Sequence, residues 1–233
     1  MKMFNKFVIL QKKIMKKLII FDLDGTLLNT IEDLANSANY ALKLYNFPTH
    51  EVEQYNFMVG NGVNNLLLRA LPAEERYNND VFQMVRHEFL KHYLANSDKF
   101  TKPYEGIVNL LEKLQENGFM LAVASNKIHE ATIDVVKKFF PTINFIAVFG
   151  HRADFPIKPD PQIVEEILKI TQIQRSDTLY VGDTCVDMQT AKNADIDVVG
   201  VTWGFRPLSE LQEYEPNFIA NSAEELEKII FEK

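Results

Sequence analysis

The run Leu18-Ile19-Ile20-Phe21 passes directly into Asp22-Leu23-Asp24-Gly25-Thr26. Four consecutive apolar residues ending at a turn signal read as a strand buried on both faces, the kind found inside a parallel sheet. Ligands of open α/β sheets bind at the carboxyl ends of such strands, which is where this aspartate pair falls. Two carboxylates so close repel each other unless a cation or a shared proton relieves them. The stretch therefore calls for a covered parallel sheet and for a reason to concentrate negative charge at its edge.

From Pro103 onward, strand and helix patterns alternate. Ile107, Leu110, Leu111 and Leu114 stripe a helix that Asn117-Gly118 can end through a left-handed cap. Strands are expected over 119–124, 145–149, 178–182 and 198–201. Helices are expected after Asp160-Pro161 (Asp as N-cap), over 185–194, and over 223–231 behind a Ser222/Glu225 capping box. The stripe Ile133, Val136, Phe139 and Phe140 marks one more helix. This alternation implies right-handed βαβ units, hence a Rossmann-like parallel sheet flanked by helices.

Between the first strand and Pro103 the pattern is helical. Thr30 and Asp33 have capping-box spacing, followed by Ile31, Leu34, Ala38, Ala41 and Leu42 at helical intervals. Further helices are expected near 50–57, 62–71 and 74–95, and Thr101-Lys102-Pro103 reads as a linker. Residues 29–102 are thus expected to be an α-helical insertion, with 15–28 and 103–233 forming one discontinuous core. Residues 1–14 are expected to be an upstream extension without function; a short amphipathic surface helix is the alternative. Phe7–Leu10 is too short for a signal-peptide core or a membrane span.

At 233 residues the chain can form a core and a small second domain. A net charge of −7 without a compensating Lys/Arg cluster argues against a nucleic-acid surface. One cysteine excludes an internal disulfide and a cysteine-based zinc site. A cytoplasmic protein, monomeric or weakly dimeric and without membrane or nucleic-acid partners, is the expectation.

Three later strands also run into polar residues: Ser125-Asn126-Lys127, Lys158-Pro159 after a loop, and Gly182-Asp183-Thr184-Cys185-Val186-Asp187. Brought to one sheet edge, they assemble four carboxylates, a hydroxyl and at least one ammonium. Carboxylate and carbonyl oxygens suit magnesium, and a lysine with a hydroxyl suits phosphoryl oxygens.

Taken together and in this order, Asp-x-Asp-Gly-Thr, Ser-Asn-Lys, Lys-Pro and Gly-Asp-x-x-x-Asp resemble the four motifs of the haloacid dehalogenase superfamily. The match runs nearly the whole chain from Met15, and residues 29–102 correspond to that family's helical cap. The stretches 24–34, Val59-Gly60-Asn61-Gly62 and 201–206 are most similar to its phosphoglycolate phosphatase branch. The resemblance implies Asp22 as nucleophile and Asp24 as general acid and base. It implies Mg2+ on the Asp22 carboxylate, the Asp24 backbone carbonyl and Asp183, with Asp187 ligating directly or through water. Ser125, Lys158 and the backbone N–H groups of Leu23 and Asn126 would hold phosphate. The implied function is hydrolysis of a small phosphorylated metabolite, first 2-phosphoglycolate, through an aspartyl-phosphate.

Other readings share that core: inorganic pyrophosphatase, nucleotidase, or β-phosphoglucomutase-like transfer, though Asn29–Asn39 lacks the histidine usual in the last. A non-catalytic phospho-ligand-binding protein is the reading from a different class. Gly60, Asn61 and Gly62 are candidates for reading the substrate. Lys127 divides evenly between a site contact and a solvated surface lysine. Arg69 and Arg206 read as surface charge by default, Cys185 as a small buried filler and the five histidines as incidental.

Overall fold

In the computed structural model, which describes residues 16–232, the first part of the chain runs β1 (Leu18–Phe21), β2 (Leu28–Asn29), α1 (Ile31–Leu44), a 3-10 turn (Val52–Phe57), α2 (Gly62–Ala70), α3 (Asn79–Asn96) and β3 (Lys102–Pro103). It continues through α4 (Ile107–Glu116), β4 (Met120–Ile128), α5 (His129–Phe139), β5 (Phe145–His151) and α6 (Gln162–Thr171). The last part comprises β6 (Thr178–Gly182), α7 (Cys185–Asn193), β7 (Asp197–Val201), α8 (Leu208–Gln212), β8 (Phe218–Ala220) and α9 (Ala223–Glu232). The extension expected over residues 1–14 lies outside the described residues.

Six strands form a parallel sheet in the order β5-β4-β1-β6-β7-β8, with β1 near its centre. Successive residues of β1 serve opposite faces. Ile19 and Phe21 pack with Leu110 and Leu111 of α4 and Leu226 and Ile230 of α9. Leu18 and Ile20 pack with Val164 and Ile167 of α6 and Met188 and Ala191 of α7. Burying each such side chain contributes roughly 1.5–3 kcal/mol, so β1 has an apolar layer on both sides and no face for water.

The helical segment joins the sheet through two chain crossings, where β2 and β3 pair antiparallel, Leu28 opposite Pro103 and Asn29 opposite Lys102. Its own apolar cluster includes Leu34, Ala38 and Leu42 of α1, Leu66 and Leu67 of α2, and Phe89 and Tyr93 of α3. The linker expected at 101–103 is therefore part of a short ladder, too short to leave a hydrophobic pattern.

Local expectations needed several corrections. The Thr30/Asp33 capping box does not form. Asp33 instead accepts hydrogen bonds from Phe100 N, Thr101 N and Thr101 Oγ1, tying α1 to the second crossing, and Thr30 Oγ1 is left without a partner. Three donors across the hinge outweigh one at a helix end. The helix expected from 74 starts at Asn79, where the Asn78 side chain accepts from Val81 N, and 52–57 is 3-10 rather than α. Glu225 N bonds Ser222 Oγ, but the Glu225 carboxylate takes Asn221 N, so that capping box is half made. Asp160 Oδ1 accepts from Gln162 N and Pro161 is the N-cap. The edge strand β8, with three residues, had no distinct sequence signal.

Candidate active site

Parallel register sets the site. Phe21 pairs with Val181 on one side and Val123 on the other, so the residues just beyond these strands emerge together. Asp22 N donates to Val181 O at 2.9 Å, placing Asp22 against the end of β6, which Asp183 and Asp187 follow. On the other flank β4 does not stop at Ala124. It continues through Ser125, Asn126 and Lys127 to Ile128, its pairing with β5 irregular over that stretch.

Asp22, Asp183 and Asp187 are all buried, and each offers an oxygen within 4.8 Å of the others. The Lys158 ammonium sits among them, 2.7 Å from Asp187 Oδ1 and 2.9 Å from Asp22 Oδ1. Asp22 Oδ1 is buried and meets that ammonium at an angle poor for a hydrogen bond, so the contact is chiefly ionic. Burial, then the Asp187 carboxylate, push the Asp22 pKa up to about 7 against the pull of Lys158. Burial, then Asp187 and Asp22, hold Asp183 well above the usual carboxylate range. For Lys158 burial opposes the charge, yet Asp187 and Asp22 outweigh it and keep the ammonium protonated.

Three carboxylates against one ammonium leave a formal charge of −2. Three clustered carboxylates, all-oxygen donors and that charge fit a hard divalent cation.

The supporting contacts are specific. Asp183 Oδ1 accepts from Thr26 Oγ1 at 3.1 Å and Oδ2 from Phe205 N at 2.8 Å. Gly25, at φ +91°, and Gly204 press on the same carboxylate: a Cβ would stand 2.2 Å from Asp183 Oδ2 at the first and 2.3 Å from Asp183 Cβ at the second. Asp187 does two jobs. Its Oδ2 accepts from Thr184 N and Thr184 Oγ1, completing a capping box for α7, while Oδ1 holds Lys158. The Asn126 side chain accepts from Lys158 N and donates to Lys158 O and to Gly60 O. Ser125 is buried, with Oγ accepting from Lys127 N.

Asp24 and Lys127 form a second ionic group. Lys127 Nζ lies 2.8 Å from Asp24 Oδ1 and also donates to Tyr93 OH on α3. Lys127 is only 5% exposed, so the solvated-surface reading is excluded. Asp22, Asp24, Ser125, Asn126, Lys127 and Tyr93 share one cavity with Gly60 and Gly62. Asn61 is not among the residues that line it; its side chain accepts from Arg69.

Arg206 is a correction: it is buried, not surface charge. Its guanidinium donates to the carbonyls of Asn56 and Val59 and pairs with Glu210, fastening the loop after β7 to the helical segment. Arg69 is exposed, as expected. Cys185 is half-buried, its thiol pKa pushed up to about 11 by burial and Glu210. Tyr180 was missed. Its hydroxyl accepts from Lys158 Nζ and donates to Ala124 O; a tyrosine within an apolar strand was its only mark.

The fold and this acidic edge define a Rossmann-like α/β protein with its candidate site at the carboxyl ends of a parallel sheet. The chain matches the haloacid dehalogenase-like hydrolase model over residues 19–201, and it belongs to that family. It is 31% identical over 218 residues to a phosphoglycolate phosphatase of Vibrio parahaemolyticus, covering 92% of this chain and 96% of that one. A phosphoglycolate phosphatase of Aquifex aeolicus is also 31% identical, with the same coverage. Among solved structures, a protein of Lactobacillus delbrueckii subsp. bulgaricus, assigned by inference as a phosphoglycolate phosphatase, superposes with a TM-score of 0.86 at 31% identity, covering 93% of this chain and 98% of that one.

Proposed function

We propose that the protein is a magnesium-dependent phosphatase that hydrolyses a small phosphomonoester, with 2-phosphoglycolate the first substrate to test. The observation that carries this reading is the buried Asp22 carboxylate paired with Lys158 and grouped with the Asp183 and Asp187 carboxylates. The names of the relatives support the same activity.

In the proposed reaction an Asp22 oxygen attacks phosphorus and the ester P–O bond breaks. Asp24 gives its proton to the departing alkoxide, leaving an aspartyl-phosphate. Water then attacks phosphorus and gives its proton to Asp24, and the Asp22 carboxylate is released with phosphate. Ser125 Oγ, the Asn126 and Leu23 N–H groups and Lys158 hold the phosphoryl oxygens. Asp22, the Asp24 backbone carbonyl, Asp183 and Asp187 would hold Mg2+. When bound, the metal offsets the repulsion between nucleophile and phosphate and stabilises charge in the transition state.

The cavity against Asp24 has apolar walls at Leu34, Val59, Val63 and Leu66. We assign residues 29–102 as the cap that closes the site and 15–28 with 103–233 as the catalytic core. Gly60 and Gly62 are among the cap residues that would meet substrate. Among the described residues no helix is long and apolar enough to cross a membrane. A cytoplasmic enzyme, monomeric or weakly dimeric and acting on a small metabolite, is the reading we propose.

Turnover of p-nitrophenyl phosphate with Mg2+ and with a chelator tests the reading. Metal-dependent release of phosphate is expected; none above the blank overturns it in favour of a phospho-ligand-binding protein.

A further inference from the structure

The phosphoryl machinery accounts for Lys158 but leaves a second buried ammonium, Lys127, without a chemical task. Lys127 pairs with Asp24, the group that would protonate the leaving oxygen, whereas Lys158 pairs with Asp22. A group held by Lys127 would lie beside Asp24 and so beside the leaving alcohol that Asp24 serves.

Donor capacity at this point exceeds what the protein uses. An ammonium has three N–H donors, and Asp24 Oδ1 and Tyr93 OH take two of those on Lys127. Because the Tyr93 oxygen accepts from Lys127, its own O–H is free to donate. Burial, against the pull of Lys127, pushes the Tyr93 pKa up to about 12, so the hydroxyl keeps that proton. Both residues line the same small cavity, whose remaining wall toward the helices is apolar. A buried ammonium is costly to maintain and is weak evidence for stability by itself. Two donors and a positive charge in an apolar pocket instead match a compact anion that brings two acceptor oxygens.

We infer that Lys127 and Tyr93 form a subsite for an anionic group on the leaving alcohol, one or two bonds from the oxygen that Asp24 protonates. The inference rests on the phosphatase reading above and narrows its substrate class to phosphoesters of short hydroxy acids. A carboxylate has the right shape, since its two oxygens can face the Lys127 N–H and the Tyr93 O–H together. The phosphate leaving group of pyrophosphate shares that chemistry and is the other source to distinguish. Lys127 comes from the core strand β4 and Tyr93 from α3, so the subsite is complete only with the helical segment in place over the sheet.

The test compares kcat/KM of the full chain with Mg2+ on 2-phosphoglycolate, pyrophosphate and 2-hydroxyethyl phosphate, which has a hydroxymethyl in place of the carboxylate. Wild-type protein is expected to favour a substrate with an anionic leaving group over 2-hydroxyethyl phosphate, whose leaving group is neutral, by at least about 10²-fold, as sites built to bond a polar group reject analogues lacking it. Lys127→Met is expected to remove about 10²-fold of that preference and Tyr93→Phe about 10-fold, mainly through KM. Tyr93→Phe keeps the packed ring and so guards against misfolding, which thermal unfolding checks in both variants. Preference for 2-phosphoglycolate assigns the carboxylate, and preference for pyrophosphate assigns phosphate; either supports the subsite. A wild-type ratio near one overturns it. So do variants that slow all three substrates equally, because Lys127 would then act only by positioning Asp24. No turnover of any ester by wild type overturns the phosphatase reading itself, and the inference with it.

Discussion

Lys158 Nζ lies 2.7 Å from Asp187 Oδ1, and the other oxygen of that carboxylate closes the N-terminus of α7. A single aspartate thus couples the end of a helix to the position of the ammonium beside Asp22. Asp187→Ala removes both links and is expected to lose about 1 kcal/mol for the cap, with little added cost because Lys158 keeps Asp22 and the crowding of carboxylates is relieved. Asp187→Asn keeps an acceptor for Thr184 and is expected to cost less. Urea unfolding of the two variants measures the difference.

Asp22→Asn is expected to abolish turnover and leave the fold intact, because an amide is a poor nucleophile. It should also raise stability in the absence of metal at pH 8. The Asp22 pKa in the fold is about 7, above its unfolded value of 3.8. Its contribution is therefore fully present below about pH 4 and is lost as pH rises through about 7. An amide removes that loss. Thermal unfolding in chelator at pH 5 and pH 8 checks the sign: the gain over wild type should appear at the higher pH.

The same shift governs metal binding. Mg2+ needs the Asp22 carboxylate ionised, so binding competes with a proton near neutral pH. The rise in Tm produced by a fixed Mg2+ concentration is expected to be larger at pH 8 than at pH 6, with proton release in weakly buffered solution. Equal Tm shifts at both pH values would contradict the burial-driven shift at Asp22.

Asp24→Asn should slow an alkyl phosphate by on the order of 10²–10⁴-fold, the usual value of one acid–base group. The loss in the first chemical step should be smaller for p-nitrophenyl phosphate, whose leaving group departs without a proton. A burst of nitrophenol followed by slow release of phosphate would locate the remaining defect in the hydrolytic step.

Gly204→Ala places a Cβ 2.3 Å from the Asp183 Cβ, against a carboxylate fixed on its other side by Thr26. Forcing atoms into a packed site costs typically about 1–3 kcal/mol. Because the displaced group is a proposed metal ligand, the Mg2+ concentration for half-maximal activity should rise with it. Titration of activity against Mg2+, beside urea unfolding, separates the two effects.

The residue order alone determined the sheet and the acidic edge. Unbroken apolar runs such as Leu18–Phe21 need cover on both faces, and aspartates directly after such runs have only the carboxyl end of the sheet to occupy. Asp22, Ser125, Lys158, Asp183 and Asp187 were legible because each follows a strand or its loop at a recognisable spacing, and the structure brings all five to one edge. Only tertiary structure decided what Lys127, Tyr93, Tyr180, Arg206 and Asp33 do. Their partners lie 103, 34, 22, 147 and 68 residues away along the chain, so no local pattern could report them. A buried lysine and a solvated one read alike until the fold removes the water around one of them. Here it did so for Lys127, leaving its charge to Asp24 and Tyr93 rather than to solvent.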